Sequence, residues 1–123
     1  MTKILVVEDE VHIQRLIKLV LEKNGFEVDA VGTGEEALKY LSENPAPQLI
    51  LLDILMPGID GLSVLRSIKG NATQKDIPVV MLTALAQESV VLQGIKLGAT
   101  DYIRKPFHPT ELVKRLSKLL SAA

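Results

Sequence analysis

Along this chain the spacing of apolar residues switches between two periods, and it does so five times. Ile4-Leu5-Val6-Val7 is a continuous apolar run of strand length. After it, Ile13, Leu16, Ile17 and Val20 recur at helical spacing up to Asn24-Gly25, a left-handed stop signal. Phe26, Val28, Ala30 and Val31 predict a short second strand. Thr33-Gly34-Glu35-Glu36 then matches a capping box, in which Thr33 caps the N–H near Glu36. Ala37, Leu38 and Leu41 form the stripe of the helix that follows, and Asn44-Pro45 ends it.

Leu49-Ile50-Leu51-Leu52 and, after Pro78, Val79-Val80-Met81-Leu82 are apolar without alternation. Strands covered on both faces read this way, as in a parallel sheet flanked by helices. Between them Asp60 is placed to cap a helix carrying Leu62, Leu65 and Ile68, which gives out around Gly70-Asn71. A fourth helix is expected over roughly 87–97, ending at Gly98, and a last short strand over Asp101 to Arg104. Pro109 sits at the favoured first position of a final helix whose stripe is Leu112, Val113, Leu116, Leu119 and Leu120. Five strand–helix units with short connections predict an α/β fold, an open doubly wound parallel sheet with right-handed crossovers and helices on both faces. A closed eight-stranded barrel needs about twice this length.

Composition narrows the reading further. The 123 residues fit one domain, 1–123, and the chain ends within three residues of the last helix, so no effector domain is expected. There is no cysteine, which removes disulfides and thiolate metal sites. A formal net charge of −1 gives no general footprint for nucleic acid or membrane. No apolar stretch approaches the ~18 residues of a membrane span, and Ile4 to Val7 is too short for a signal peptide. The expectation is a soluble, cytoplasmic domain that binds neither nucleic acid nor membrane directly.

The candidate chemistry lies where strands give way to loops. Glu8-Asp9 follows the first strand, Asp53 the third, Thr83-Ala84 closes the fourth and Lys105 the fifth. In a parallel sheet these positions share one edge, where open α/β folds bind ligands. Three carboxylates that close raise one another's pKa unless a cation intervenes. With no Cys and no His among them, the donors favour a hard ion, Mg²⁺ first and Mn²⁺ as the alternative. Three carboxylates and one ammonium sum to −2, which one divalent cation neutralises, leaving metal and lysine to receive phosphoryl oxygens. Each residue also has a plain structural reading: Glu8 and Asp9 as helix caps, Asp53 as a turn former, Thr83 as a β-branched strand residue. His12 and His108, the two histidines, are expected to be solvated or capping groups, and Arg104, Lys114, Arg115 and Lys118 a solvated basic face.

Glu8-Asp9, Asp53 with Met56-Pro57 and Asp60-Gly61, Thr83-Ala84 and Lys105-Pro106-Phe107 together resemble the receiver domain of bacterial two-component response regulators, including the chemotaxis-regulator type. The resemblance covers essentially the whole chain. It implies a flavodoxin-like (βα)5 fold with strand order 2-1-3-4-5 and Asp53 as phosphoacceptor. Asp9 and Asp53 would hold Mg²⁺ directly, with Glu8 acting through a water and the Leu55 carbonyl as a further ligand. Thr83, Ala84 and Lys105 would bind the phosphoryl oxygens, and the Lys105–Pro106 bond would be cis. Thr83 and Tyr102 would act as the switch, altering the face built from the fourth helix, fifth strand and fifth helix. The implied partners are a histidine kinase or phosphotransfer protein, an output domain or protein at that face, and a phosphorylation-dependent homodimer. Such a domain is not an enzyme in the ordinary sense; it promotes its own phosphorylation and slow dephosphorylation. Leu55 and Leu85, each two residues past a site residue, cannot orient water, which predicts a long-lived acyl phosphate. Leu55 also argues against a haloacid-dehalogenase-like phosphatase, which carries a second aspartate there.

Overall fold

A computed structural model describes residues 2–55, 58, 60–84 and 88–121. Strands and helices alternate as β1 (Lys3–Val7), α1 (Val11–Lys23), β2 (Glu27–Val31), α2 (Gly34–Glu43), β3 (Leu49–Asp53), α3 (Gly61–Lys69), β4 (Val79–Ala84), α4 (Glu88–Leu97), β5 (Asp101–Lys105) and α5 (Pro109–Ser121). All pairings are parallel, in the order β2-β1-β3-β4-β5. The expected elements are all present, with β4 and β5 reaching two residues and one residue further than the apolar runs suggested.

Two cores explain the uninterrupted apolar strands. Leu5, Val7, Ile50, Leu52, Val79 and Met81 pack toward Ala37 and Leu41 of α2 and Val64, Leu65 and Ile68 of α3. Their chain neighbours Ile4, Val6, Leu49, Leu51, Val80 and Leu82 point the other way, toward Ile17 and Leu21 of α1 and Leu112 and Leu116 of α5. Side chains alternate across a strand, so a strand buried on both faces has no polar position to show. α4 carries little of either core; Leu92 and Ile95 remain exposed on it.

Caps fix where the helices start. Thr33 accepts from Glu36 N at 3.1 Å and Asp60 from Ser63 N at 2.8 Å, as the sequence predicted. His108 Nδ1 accepts from Thr110 N at 3.2 Å, so that histidine is a cap for α5, and His12 is exposed. The cap of α1 is neither Glu8 nor Asp9. Glu10 takes that role, accepting from His12 N at 3.1 Å and Ile13 N at 2.9 Å, and these bonds hold its carboxyl below the ordinary value. Glu8 and Asp9 are thereby left to the strand edge. Gly25 ends α1 at φ +89, as expected for the left-handed stop. At the opposite edge of the sheet the Lys69 ammonium donates to Lys75 O and Ile77 O, both at 2.9 Å, tying down the α3–β4 connection. Burial holds its pKa below the ordinary lysine value, with Asp76 acting against that shift.

Candidate functional site

Strand order decides what meets at the carboxyl edge. Because β1 and β3 are adjacent and their helices leave toward opposite faces, a crevice opens between their ends. Val7 is level with Leu52, so Glu8 and Asp53 are the next pair outward, and Asp53 stands level with Leu82 of β4. Asp53 is the last residue of its strand rather than the first of a loop, which gives it ladder-fixed backbone. Gly61, at the start of α3, lies flush against it. A Cβ there would stand 2.5 Å from Asp53 O and 2.5 Å from Ile54 Cα.

The charged groups are buried and share partners. Glu8 is fully buried and Asp53 is 3% exposed. Lys105 Nζ lies 2.7 Å from Glu8 Oε1 and 3.2 Å from Asp53 Oδ2. The other Asp53 oxygen accepts from Leu55 N at 3.2 Å, and Glu8 Oε2 accepts from Glu10 N at 3.1 Å. Glutamate's extra methylene lets this carboxylate curl back onto its own turn while its other oxygen faces the lysine. That second oxygen, despite the short distance, receives no hydrogen bond of adequate angle. Asp9 is exposed, yet one oxygen from each of Glu8, Asp9 and Asp53 falls within 4.8 Å of the others.

One ammonium thus serves two buried carboxylates. Burial first, then the hydrogen-bonding and charge of Glu8, push the Asp53 carboxyl up to about 7, with Lys105 working against the shift. For Lys105, burial disfavours the charge but the ion pairs with Glu8 and Asp53 outweigh it, and its pKa rises. The cluster is short of positive charge, and a divalent cation beside the three oxygens would supply it. An oxygen-only donor set, an under-bonded buried Glu8 oxygen and a carboxyl held partly protonated all fit a hard cation at this place.

The remaining predicted residues are distributed around this cluster. Thr83 is 2% exposed, and its hydroxyl is engaged only weakly, 3.4 Å from Ala84 O. Level with Ala84 in the β4–β5 register is Lys105 itself. Tyr102 is half-buried against the α2–α3 side of the core, and its carbonyl accepts from Arg115. A cleft of about 250 Å³ lies behind Thr83, lined by Ala84, Glu88, Val91, Leu92, Tyr102 and Arg104. The Lys105–Pro106 peptide is cis, as the resemblance implied. Leu55 is 56% exposed at the mouth of the site. Met56, Pro57 and Leu85 lie outside the described residues.

Two contributors were given no role at the site by the sequence. One is Gly61, described above. The other is Gln14 of α1, whose amide nitrogen donates to Glu8 O at 2.9 Å and Val31 O at 3.1 Å. A signal existed for Gln14. It stands three residues before Ile17 and seven before Leu21, on the stripe that is fully buried, and a polar residue on an apolar stripe is the informative kind.

Comparison with known proteins places this geometry in context. The model of the response regulator receiver domain matches residues 4–117. The phosphate regulon transcriptional regulatory protein PhoB of Klebsiella pneumoniae is 46% identical over 118 residues, 96% of this chain and 51% of that protein. The transcriptional regulatory protein ResD of Bacillus subtilis (strain 168) is 46% identical over 123 residues, 99% of this chain and 49% of that protein. The chain therefore spans about half the length of these curated relatives. Among solved structures, the receiver domain of NtrX from Brucella abortus superposes with a TM-score of 0.89 at 34% identity, covering 98% of this chain and 99% of that one.

Proposed function

The chain belongs to the response regulator receiver family, and we propose that it works as a phosphorylation-controlled switch with Asp53 as the phosphoacceptor. The observation that carries this reading is the placement of Asp53: buried at a strand end, 3.2 Å from Lys105, with Glu8 and Asp9 oxygens within 4.8 Å. An Asp53 carboxylate oxygen attacks phosphorus of a phosphohistidine on a histidine kinase or phosphotransfer protein. The new O–P bond forms as the P–N bond breaks, and the imidazole leaves with the electron pair. Asp53 must be ionised to attack, and its raised pKa makes that the demand on the site. Bound Mg²⁺, or Mn²⁺ in its place, would supply the missing charge and neutralise phosphoryl oxygens. Asp9, Asp53 and the Leu55 carbonyl would hold it, with Glu8 acting through a water. Lys105, Thr83 and the Ala84 backbone would receive the phosphoryl oxygens as charge builds on them.

The switch follows from what is loose behind the site. Thr83 has only a weak intramolecular partner, and the cleft next to it has room for the Tyr102 ring. Thr83 moving toward a phosphoryl group would draw Tyr102 inward and change the surface of α4, β5 and α5. That surface is where an output domain, a partner protein or a second copy would bind, in a cytoplasmic setting and without direct nucleic-acid contact. We take 1–123 as one receiver domain that promotes its own phosphorylation and slow dephosphorylation rather than turning over a substrate. With apolar residues, Leu55 and Leu85, two positions past Asp53 and Thr83 in the sequence, the acyl phosphate should outlast that of variants carrying polar residues there. Loss of phosphate within seconds, unchanged by Leu55→Asn or Leu85→Glu, would refute that point.

The direct test is intact mass after incubation with Mg²⁺ and acetyl phosphate. A gain of one phosphoryl unit is expected in the wild type and none in Asp53→Asn. A gain that persists in Asp53→Asn removes Asp53 as the acceptor. The switch is tested with beryllofluoride, which should alter Tyr102 and the α4 surface; binding without any such change would refute it.

A further inference from the structure

We propose that Gln14 is a positioning residue for the acid pair Glu8-Asp9, and that its side-chain amide sets the affinity of the site for a divalent cation. The inference rests on the metal reading above and adds a residue that touches neither metal nor phosphoryl group. The β1–α1 turn is only three residues long and supplies two of the three carboxylates. Its first residue is held from both sides. Glu8 N donates to Val31 O at 3.1 Å, one step past the last β1–β2 register pair, Val7 with Val31. Glu8 O accepts from Gln14 Nε2 at 2.9 Å, and the same nitrogen donates to Val31 O at 3.1 Å. One amide therefore uses both N–H groups to clamp the ends of β1 and β2 to the first turn of α1.

This clamp acts where carboxylate geometry is decided. Glu8 has its peptide fixed at both polar groups and its carboxylate fixed by Glu10 N and Lys105, so rotation at residue 8 is blocked. Asp9 follows directly and has no side-chain hydrogen bond among the described residues, so its aim depends on the peptide before it. Ile17, Leu21 and the partly buried Ile13 pack α1 without directional bonds; the amide adds a directional tie at its first turn. Groups that orient metal-binding side chains from outside the coordination sphere change affinity by about 10–100-fold when removed.

The test is Gln14→Met, which keeps length and neutrality and deletes both donors, with Gln14→Asn as a second variant whose amide is one methylene too short to span the two carbonyls. Mn²⁺ affinity is read by electron paramagnetic resonance titration of free Mn²⁺, and the thermal midpoint in EDTA is measured beside it. Gln14→Met should bind Mn²⁺ about tenfold more weakly or worse, Gln14→Asn should shift the same way, and Lys18→Met on the outer face of α1 should match the wild type. A purely structural role would lower the midpoint and leave the Mn²⁺ dissociation constant alone, which would overturn the inference. If Gln14→Met does not fold, wild-type affinity in Gln14→Asn overturns it equally. Failure of the wild type to bind Mn²⁺ is a different result; it brings down the metal reading and this inference with it.

Discussion

Replacing Gly61 by alanine sets two well-characterised effects against each other at the site. On propensity alone the change should help, since alanine is favoured over glycine in a helix by up to ~1 kcal/mol and also restricts the unfolded chain. The local geometry argues otherwise. The added Cβ would lie 2.5 Å from Asp53 O, 2.5 Å from Ile54 Cα and 3.0 Å from Ile54 O, all backbone atoms that no rotamer change can move. Ordinary van der Waals separation requires the start of α3 to lift by about 1 Å, which strains the 2.9 Å bond from Gly61 N to Ile54 O. Overpacking of this kind costs about 1–3 kcal/mol and a weakened hydrogen bond about 1 more. The net expectation is a loss of about 1–3 kcal/mol, or roughly 3–6 °C of thermal midpoint per kcal/mol at this chain length. Urea unfolding followed by circular dichroism measures it. Gly25→Ala is the companion, because nothing lies within 4 Å of its Cβ and only its φ of +89 is unfavourable. Since the clash at Gly61 is with the Asp53 carbonyl, acetyl phosphate labelling should slow in Gly61→Ala and stay unchanged in Gly25→Ala. A Gly61→Ala protein as stable as the wild type within about 0.5 kcal/mol, or more stable, would refute the close-approach argument.

Further expectations follow from the charge clusters. Lys105→Met leaves Glu8 and Asp53 buried with no cation between them and should cost about 3–5 kcal/mol in EDTA; urea titrations should show Mg²⁺ recovering part of it, and a loss indifferent to Mg²⁺ would count against the shared-ammonium picture. Because the folded Asp53 pKa is raised from 3.8 to about 7, the folded state holds the proton more tightly, so this group's contribution falls as pH rises through that range. Asp53→Asn should therefore stabilise the metal-free protein at pH 8, by about 1–2 kcal/mol after allowance for screening, and progressively less as pH falls toward the unfolded value of 3.8; equal midpoints at pH 8 in EDTA would contradict this. Away from the site, Tyr40 donates to Asp29 on the edge strand β2, where Lys3 lies 3.4 Å from the same carboxylate. Tyr40 chiefly holds the Asp29 pKa down, and burial, then the bond to Asp29, holds the Tyr40 pKa up. A lowered carboxyl pKa gives stability that fades below the unfolded value of 3.8, and a raised phenol pKa gives stability that fades above 10. Tyr40→Phe should cost about 0.5–1.5 kcal/mol at neutral pH and progressively less toward both extremes; a cost that does not vary with pH would point to packing instead.

Much of the fold was readable because its causes are local or periodic. Runs such as Leu49 to Leu52 announce strands buried on both faces, and Thr33, Asp60 and Pro109 mark helix starts through contacts within a few residues. The candidate residues at the carboxyl edge were readable for a related reason: a strand must end somewhere, and Glu8, Asp9, Asp53, Thr83 and Lys105 are the chemically able residues at those ends. Strand order was not readable from periodicity, since an apolar strand fits between any two others, and that order came from family resemblance. The cap of α1 falls on Glu10, which the sequence did not single out, because Glu8, Asp9 and Glu10 are all acidic and only the course of the turn tells them apart.

The sequence by itself determined the five strand–helix units, the two-sided core and the identity of the groups at one edge, all consequences of side-chain chemistry at fixed spacing. Tertiary structure alone decided that Lys105, 97 residues beyond Glu8, divides one positive charge between Glu8 and Asp53. It also decided that Gly61 touches the Asp53 carbonyl and that Gln14 locks the acid-bearing turn. Those three contacts join residues whose separation along the chain carries no period, and their strength comes from burial, which exists only once both cores have closed.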